Sequence, residues 1–229
     1  MVLTKLLNDI GFATATGVLT EAEVVCYAEA ADAAFVASGG LAGVRGLFKA
    51  APAFAALERH AGVRALVEPV LGPGAFVARA ILFDKRPDAN WDVPWHQDKT
   101  IAVRERLEAP GFGPWSVKHG VHHVQPPAEV LARMLTVRLH LDDCGPENGA
   151  LLAIPGSHMS MMTEEEVSAE AWDRHPAKAE LVVRRGDEVL MRPLILHASK
   201  KSREPSRRRV VHLEFVFEQL PCGLRWNDA

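Results

Sequence analysis

In the stretch VPWHQDKT, Val93 to Thr100, a histidine and an aspartate stand two positions apart: His96 and Asp98. Imidazole and carboxylate are both metal ligands. On an extended backbone residues i and i+2 point to one face, whereas on a helix they diverge by roughly 200°. Pro94 disfavours the helical region at Val93 and does not sit cheaply inside a helix. The pair can therefore converge on one ion if this segment is extended. An HxD spacing arises often by chance, so the reading depends on a third ligand. His197, closing the apolar run of EVLMRPLILHASKKS about a hundred residues later, supplies one. Two imidazoles and one carboxylate are the set that holds non-haem Fe(II) with one face of its octahedron open.

Eleven residues past His197, Arg208 opens another strand-like run, RVVHLEFVFE. A guanidinium grips a carboxylate in a two-pronged fork, which an oxygenase with a dicarboxylate cosubstrate requires close to its metal. Arg207 and Arg209 flank it, and the spacing leaves Arg209 open as the clamp.

The elements that must position these residues fall into two textures. LTEAEVVCYAEAADAAFVASGG begins with Thr20 and Glu23 in capping-box spacing and stops at Gly39 and Gly40, which predicts a helix. A second helical piece is expected through APAFAALERHAGVRALVEPVLG, broken around Gly62. From Ala75 the pattern turns to short alternating runs: AFVARAILFDK, RMLTVRLHLDD, GALLAIPGSH, AELVVRRGDEVLM and RRVVHLEFVFE. In RMLTVRLHLDD, Leu135, Val137, Leu139 and Leu141 face one way, and Thr136, Arg138, His140 and Asp142 the other. The expected fold class is mainly β with N-terminal helices (α+β): one domain over 1–229, with 1–74 mainly helical and 75–229 the β core. Residues 99–132, rich in Gly, Pro, Trp and His, fit neither texture and are expected to form a lid or substrate wall.

The chain has 229 residues and a formal charge of -3, with no basic stripe, so a nucleic-acid partner is not expected. No apolar run approaches the roughly eighteen residues needed to span a bilayer. The N-terminus lacks the apolar region of a signal peptide. Cys26, Cys144 and Cys222 are odd in number and far apart. They signal neither a disulfide framework nor a zinc knuckle, and a cytoplasmic location is the expectation.

Taken together, the chain resembles the phytanoyl-CoA dioxygenase family of Fe(II)- and 2-oxoglutarate-dependent oxygenases. The resemblance rests on His96-x-Asp98, on RLHLDDCGPENGALLAIPGSH, on RGDEVLMRPLILHAS leading to His197, and on the arginine eleven residues further on. The opening NDIGFATATGVLTEAEV is also similar to that family's N-terminus. The resemblance implies a double-stranded β-helix, or jelly-roll, core. It implies that His96, Asp98 and His197 bind Fe(II), that Arg208 pairs with the distal carboxylate of 2-oxoglutarate, and that Ser199 supports that carboxylate. Arg79, seventeen residues before His96, falls where the family often has a polar residue touching cosubstrate or substrate. Some members carry glutamine there, and an arginine would favour an anionic substrate. Related families that lose the carboxylate ligand become halogenases; with Asp98 intact, the implied reaction is O2-dependent hydroxylation of a small organic metabolite, with succinate and CO2 as co-products.

His122 and His123 in the unassigned segment, and Arg138 and His140 on the polar face of their strand, are the candidate substrate contacts. Trp95 and Trp115 read as packing residues, and His158 as structural. A chain of this length leaves little room for a dedicated coenzyme A site, so a free metabolite is the expected partner; oligomeric state is left open. Two other classes compete: a non-catalytic jelly-roll module binding a ligand or protein, which loss of a triad member would favour, and a cupin-type metalloenzyme without 2-oxoglutarate, which would not need Arg208.

Overall fold

The computed structural model describes residues 2–168, 170–203 and 207–227. The helical layer comes first: α1 (Val2–Asp9), α2 (Glu21–Ala37), α3 (Leu47–Ala50), a 3-10 helix (Pro52–Arg59) and α4 (Ala61–Leu71). The predicted capping box forms: Thr20 Oγ1 accepts from the Glu23 amide, and the Thr20 amide donates to Glu23 Oε2 at 2.8 Å. On α2 the buried residues are Val24, Ala31 and Ala34, one face of the helix. Its two alanines pack in the buried cluster that the helical layer shares with the sheet. The second helical stretch breaks at His60, which takes an extended ψ of 128°, and not at Gly62. Gly62 serves another purpose: a Cβ there would come within 2.9 Å of the Val18 carbonyl, so the glycine permits close packing.

Among the described residues thirteen strands run in chain order: β1 (Phe12–Ala15), β2 (Gly43–Arg45), β3 (Phe76–Lys85), β4 (Val93–His96), β5 (Ile101–Val103), β6 (Trp115–Lys118), β7 (Val121–Val124), β8 (Leu135–His140), β9 (Leu151–Ile154), β10 (Ala179–Leu181), β11 (Glu188–Met191), β12 (Leu196–Ser199) and β13 (Arg208–Val216). They form a six-stranded sheet in the order β1-β11-β8-β13-β3-β2 and a four-stranded sheet in the order β10-β9-β12-β4. All their pairings are antiparallel. The two sheets make the jelly-roll core, with a cavity between them.

Two details depart from the sequence reading. The mainly helical first third contributes β1 and β2, which form the two edges of the large sheet. Strands of four and three residues are too short to show alternation. AELVVRRGDEVLM is two strands in different sheets, β10 and β11, turned at Gly186 with φ of 83°.

One face of the large sheet packs against the helices. Leu135, Val137 and Leu139 of β8 join Val211, Leu213 and Phe215 of β13 in one buried cluster with Val24, Phe54 and Val63. The predicted apolar face of β8 is thus the helix-covered one. The opposite face looks into the cavity. Residues 99–132 carry a third antiparallel sheet, β5-β7-β6, and a short helix, Ala128–Ala132. Ile101, Val103, Val124 and Leu131 there pack with Leu220, Leu224 and Trp226 near the C-terminus. The strands are so short, and the turns so rich in glycine and proline, that no periodicity announces them. No helix among the described residues is long and apolar enough to cross a membrane.

Candidate metal centre and its pocket

Strand register brings the two histidines together. His197 on β12 stands directly opposite His96 on β4, with ring centroids 4.1 Å apart. Asp98 follows two residues beyond, its Oδ1 3.8 Å from His96 Nε2 and its Oδ2 3.9 Å from His197 Nε2. One ligand atom from each of the three lies within 4.8 Å of the others. Gln97, pointing the other way, fixes the extended backbone between them. Its Nε2 donates to the carbonyls of Leu194 at 2.6 Å and Ser160 at 2.9 Å, and its Oε1 accepts from the Met162 amide at 2.8 Å.

Protonation follows from the neighbours. A carbonyl can only accept, so His96 Nδ1 donates to the Pro94 carbonyl (2.8 Å) and His197 Nδ1 to the Ile195 carbonyl (2.9 Å). That fixes the tautomers and leaves both Nε2 lone pairs aimed at the shared centre, the arrangement by which outer hydrogen bonds orient metal-binding histidines. Burial, reinforced by His96 alongside, pushes His197 down to about 3. For Asp98, burial acts upward, but His197, His96, His212 and Arg79 outweigh it and hold the carboxyl well below the usual range. A neutral imidazole and an ionised carboxylate are the forms that coordinate.

Along the lumen from this trio lies a cationic group. Alternation along the chain separates the three consecutive arginines. Arg209 forks onto Asp142 (2.9 and 2.7 Å) and Arg207 onto Asp84 (2.9 and 2.6 Å), both away from the cavity. Arg208, 4% exposed, points in and donates to Ser199 Oγ from both terminal nitrogens at 3.3 Å and to the Gly149 carbonyl. Ser199 Oγ also accepts from Lys85 Nζ at 3.0 Å. Lys85 is 1% exposed, and burial followed by the charge of Arg208 pushes it down to about 7. Gly149, with φ of 77°, is required here: a Cβ would collide with the Lys200 carbonyl.

Cross-strand pairs complete the wall. Arg79 on β3 faces Glu214 on β13 and donates to it at 3.0 Å. Arg138 on β8 faces His212 on β13, with Nη1 3.1 Å from His212 Nδ1. The cavity enclosed is about 240 Å³ and has apolar walls from Phe83, Trp91 and Leu151. It is lined by His96, Asp98, His197, Arg79, Arg138, Ser199 and Arg208, so it gathers seven residues singled out in the sequence.

Three other expected contacts divide. His123 lines a second cavity of about 530 Å³ that shares Arg45 and Arg79 with the first. His122 lies on neither, because adjacent residues of β7 face opposite ways. His140 also lies on neither cavity; it is buried opposite Val210, and burial with Arg138 and Arg208 nearby pushes it down to about 3. His158 is bound to the Asn8 carbonyl (3.1 Å) against Gly11. Sequence reasoning missed Lys85, Trp91, His212, Glu214 and Arg45.

The family model for phytanoyl-CoA dioxygenase (PhyH) matches residues 7–210. The peroxisomal phytanoyl-CoA dioxygenase of Bos taurus is 22% identical over 167 residues, 66% of this chain and 42% of that protein, so the chain spans less than half of that relative's length. SnoK, a non-haem alpha-ketoglutarate-dependent carbocyclase from nogalamycin biosynthesis, superimposes with a TM-score of 0.73 at 16% identity, covering 100% of this chain and 86% of that one. EctD from S. alaskensis, crystallised with 2-oxoglutarate and 5-hydroxyectoine, gives 0.71 at 16%, covering 93% and 74%. HygX from Streptomyces hygroscopicus, with nickel and 2-oxoglutarate bound, gives 0.65 at 16%, covering 94% and 85%. These structures share the fold of this chain. With the match to the family model spanning nearly all of it, the chain belongs to the phytanoyl-CoA dioxygenase family.

Proposed function

We propose that this chain is an Fe(II)- and 2-oxoglutarate-dependent dioxygenase that hydroxylates a small organic metabolite, releasing succinate and CO2. The observation that carries the reading is the trio His96, Asp98 and His197, with both Nε2 lone pairs and one carboxylate converging and both Nδ1 atoms spent on backbone carbonyls. Three ligands clustered on one side suit an ion that must keep positions free for cosubstrate and oxygen. Arg208, Ser199 and Lys85 stand together where the distal carboxylate of 2-oxoglutarate requires cations and a hydroxyl. That grouping disfavours a metalloenzyme that does without a dicarboxylate cosubstrate.

The iron, cosubstrate and dioxygen supply the oxidising chemistry when bound; the protein contributes position, charge and exclusion of water. His96, Asp98 and His197 hold the ion. Arg208, with Ser199 and Lys85, would hold the cosubstrate's distal carboxylate. Arg79 and Arg138, each neutralised or bonded across the sheet, present N–H donors along the same wall. Phe83, Trp91 and Leu151 keep the cavity dry. Segment 99–132 contributes Ala102, Lys118, Val121 and His123 to the adjoining second cavity, and none of its residues lines the metal cavity. No side chain is required as a general base, and none is assigned.

Mixing metal-free protein with Fe(II) and 2-oxoglutarate under anaerobic conditions tests this. A visible charge-transfer band of the chelate is the expected result. Its absence, with Fe(II) nevertheless bound, would move the chain to metal chemistry without 2-oxoglutarate; no Fe(II) binding would remove the reading altogether.

A further inference from the structure

The second cavity has a wall of one sign. Arg45 from β2, Lys49 from α3, Arg79 from β3 and Lys118 from β6 line it, together with His119 and His123, and among the described residues no Asp or Glu does. Elsewhere on this surface arginines find carboxylates: Arg64 with Glu68, Arg133 with Glu218, Arg225 with Glu105. In a chain with 29 acidic and 26 basic residues, an acid-free basic wall is the exception.

Among the described residues, Arg79 is the one of these four cations with an ion pair, to Glu214. The Arg45 side chain has no hydrogen bond or ion pair to a protein group among the described residues. Lys118 has a single long contact, 3.4 Å to Thr100 Oγ1. The groups are near enough to oppose one another. Burial first, then Arg79, pulls Arg45 down, and burial, then Arg79 and Arg45, pulls Lys118 down against the opposite pull of Asp98 and Glu214. Arg45, Lys49 and Lys118 are exposed to solvent, and like charges gathered along one cavity wall repel one another until an anion enters.

We propose that this second cavity is a subsite for a doubly charged oxyanion, the phosphate or dicarboxylate end of the organic substrate. Arg45 supplies a planar fork suited to two oxygens, and Lys118 and Lys49 supply point charges. Three cations with no direct carboxylate contact among the described residues match a dianion better than a single carboxylate. The cavity shares Arg45 and Arg79 with the metal cavity, so a molecule held there by its anionic end extends its other end toward His96, Asp98 and His197. This last step rests on the oxygenase reading; anion binding itself does not.

Isothermal titration of metal-free protein with inorganic phosphate, malonate and acetate tests it, because neither iron nor turnover enters. Phosphate or malonate should bind the wild type at least about tenfold tighter than acetate. The tighter of the two names the substrate's anionic group. Arg45→Gln with Lys118→Gln should weaken that binding at least tenfold, Lys118→Arg should retain it, and Arg208→Gln should leave phosphate binding unchanged. Phosphate binding that survives the double substitution, or vanishes in Arg208→Gln while the double variant keeps it, overturns the proposal, and malonate is scored in the Arg208→Gln background. So does acetate binding as tightly as phosphate. A protein that fails to bind Fe(II) yet binds phosphate through Arg45 and Lys118 keeps this inference and loses the oxygenase reading.

Discussion

The two faces of the six-stranded sheet are built from the same strands, offset by one residue. The lumen face carries Arg79, Lys85, Arg138, Arg208, His212 and Glu214, while the helix-covered face carries Leu82, Leu135, Val137, Leu139, Val211 and Phe215. Both faces are buried, so burial alone does not choose the residue type. On the lumen face each charge has a cross-strand partner, a hydroxyl or a cavity to address. On the helical face Arg209 finds Asp142, whereas Glu188 finds no partner. It lies on β11, pairs with Leu139 and so points among the apolar side chains. Neither of its carboxylate oxygens has a hydrogen-bond partner, and burial pushes its carboxyl up to about 8. Asp98, surrounded by His197, His96 and Arg79, is driven the opposite way. The surroundings, not the residue type, set the charge of a buried acid.

The largest expected effect lies on the lumen side. His96→Ala or Asp98→Ala should abolish Fe(II) binding and lower succinate release by more than about 100-fold, beyond the 10–100-fold typical of losing a residue that only orients a ligand. Unfolding in urea should hardly change, since both residues are partly exposed and surround a cavity. Normal turnover in either variant would break the assignment. Next comes the cationic group. Losing a hydrogen bond to a charged group costs about 1.5–3 kcal/mol, or roughly 10- to 150-fold in affinity. Arg208→Ala should raise the 2-oxoglutarate requirement by that order, and Lys85→Met by somewhat less, with Fe(II) affinity unaltered. An unaltered requirement in Arg208→Ala would empty the lumen face of its cosubstrate role.

How much of this contrast the sequence discloses depends on repeat length. The period of two in RMLTVRLHLDD divides β8 correctly into an apolar and a polar face, because six residues suffice to show a repeat. The same count, carried from Arg79 through Ile81 and Phe83, reaches Lys85, and from Arg208 through Val210 it reaches His212 and Glu214; the signal was present at those missed positions. The identity of the inward arginine was not legible locally, since it depends on Asp84 and Asp142, which occupy the outward Arg207 and Arg209. Arg45 was hidden for another reason. A three-residue edge strand has no period, and its partner β3 begins about thirty residues later. The segment 99–132 likewise takes its order from β5 pairing β7 and from Trp226, contacts no local pattern encodes.

On the helical side the sharpest test is Glu188→Leu. Its folded-state value lies above the ordinary 4.5 for glutamate, so the carboxyl stays protonated in the fold while the unfolded chain ionises. Stability from this group is complete below about 4.5 and is lost as pH rises toward about 8. The wild type should therefore lose roughly 1 kcal/mol per pH unit across that window. Glu188→Leu should flatten the slope and gain on the order of 1–3 kcal/mol at pH 7.5, the usual scale for an unsatisfied buried polar group. Urea melts at pH 5.5 and 7.5 give both quantities. A variant with the wild-type slope would mean the carboxyl is not the group that titrates.

The smallest effect separates the two faces most cleanly. Thr20→Ala removes the side-chain half of the box that starts α2, which is worth about 1 kcal/mol of stability. The helix meets the sheet through its apolar face, with Val24, Ala31 and Ala34 buried, and through the Ala28 carbonyl and Asp32, which accept from Arg209, all on the side away from the cavity. The 2-oxoglutarate requirement and Fe(II) affinity should therefore stay at their wild-type values while the urea midpoint falls. A shift in either ligand affinity without added denaturant would mean that strain in the helical layer crosses the sheet, and the two faces would then be one mechanical unit, not two environments sharing a backbone.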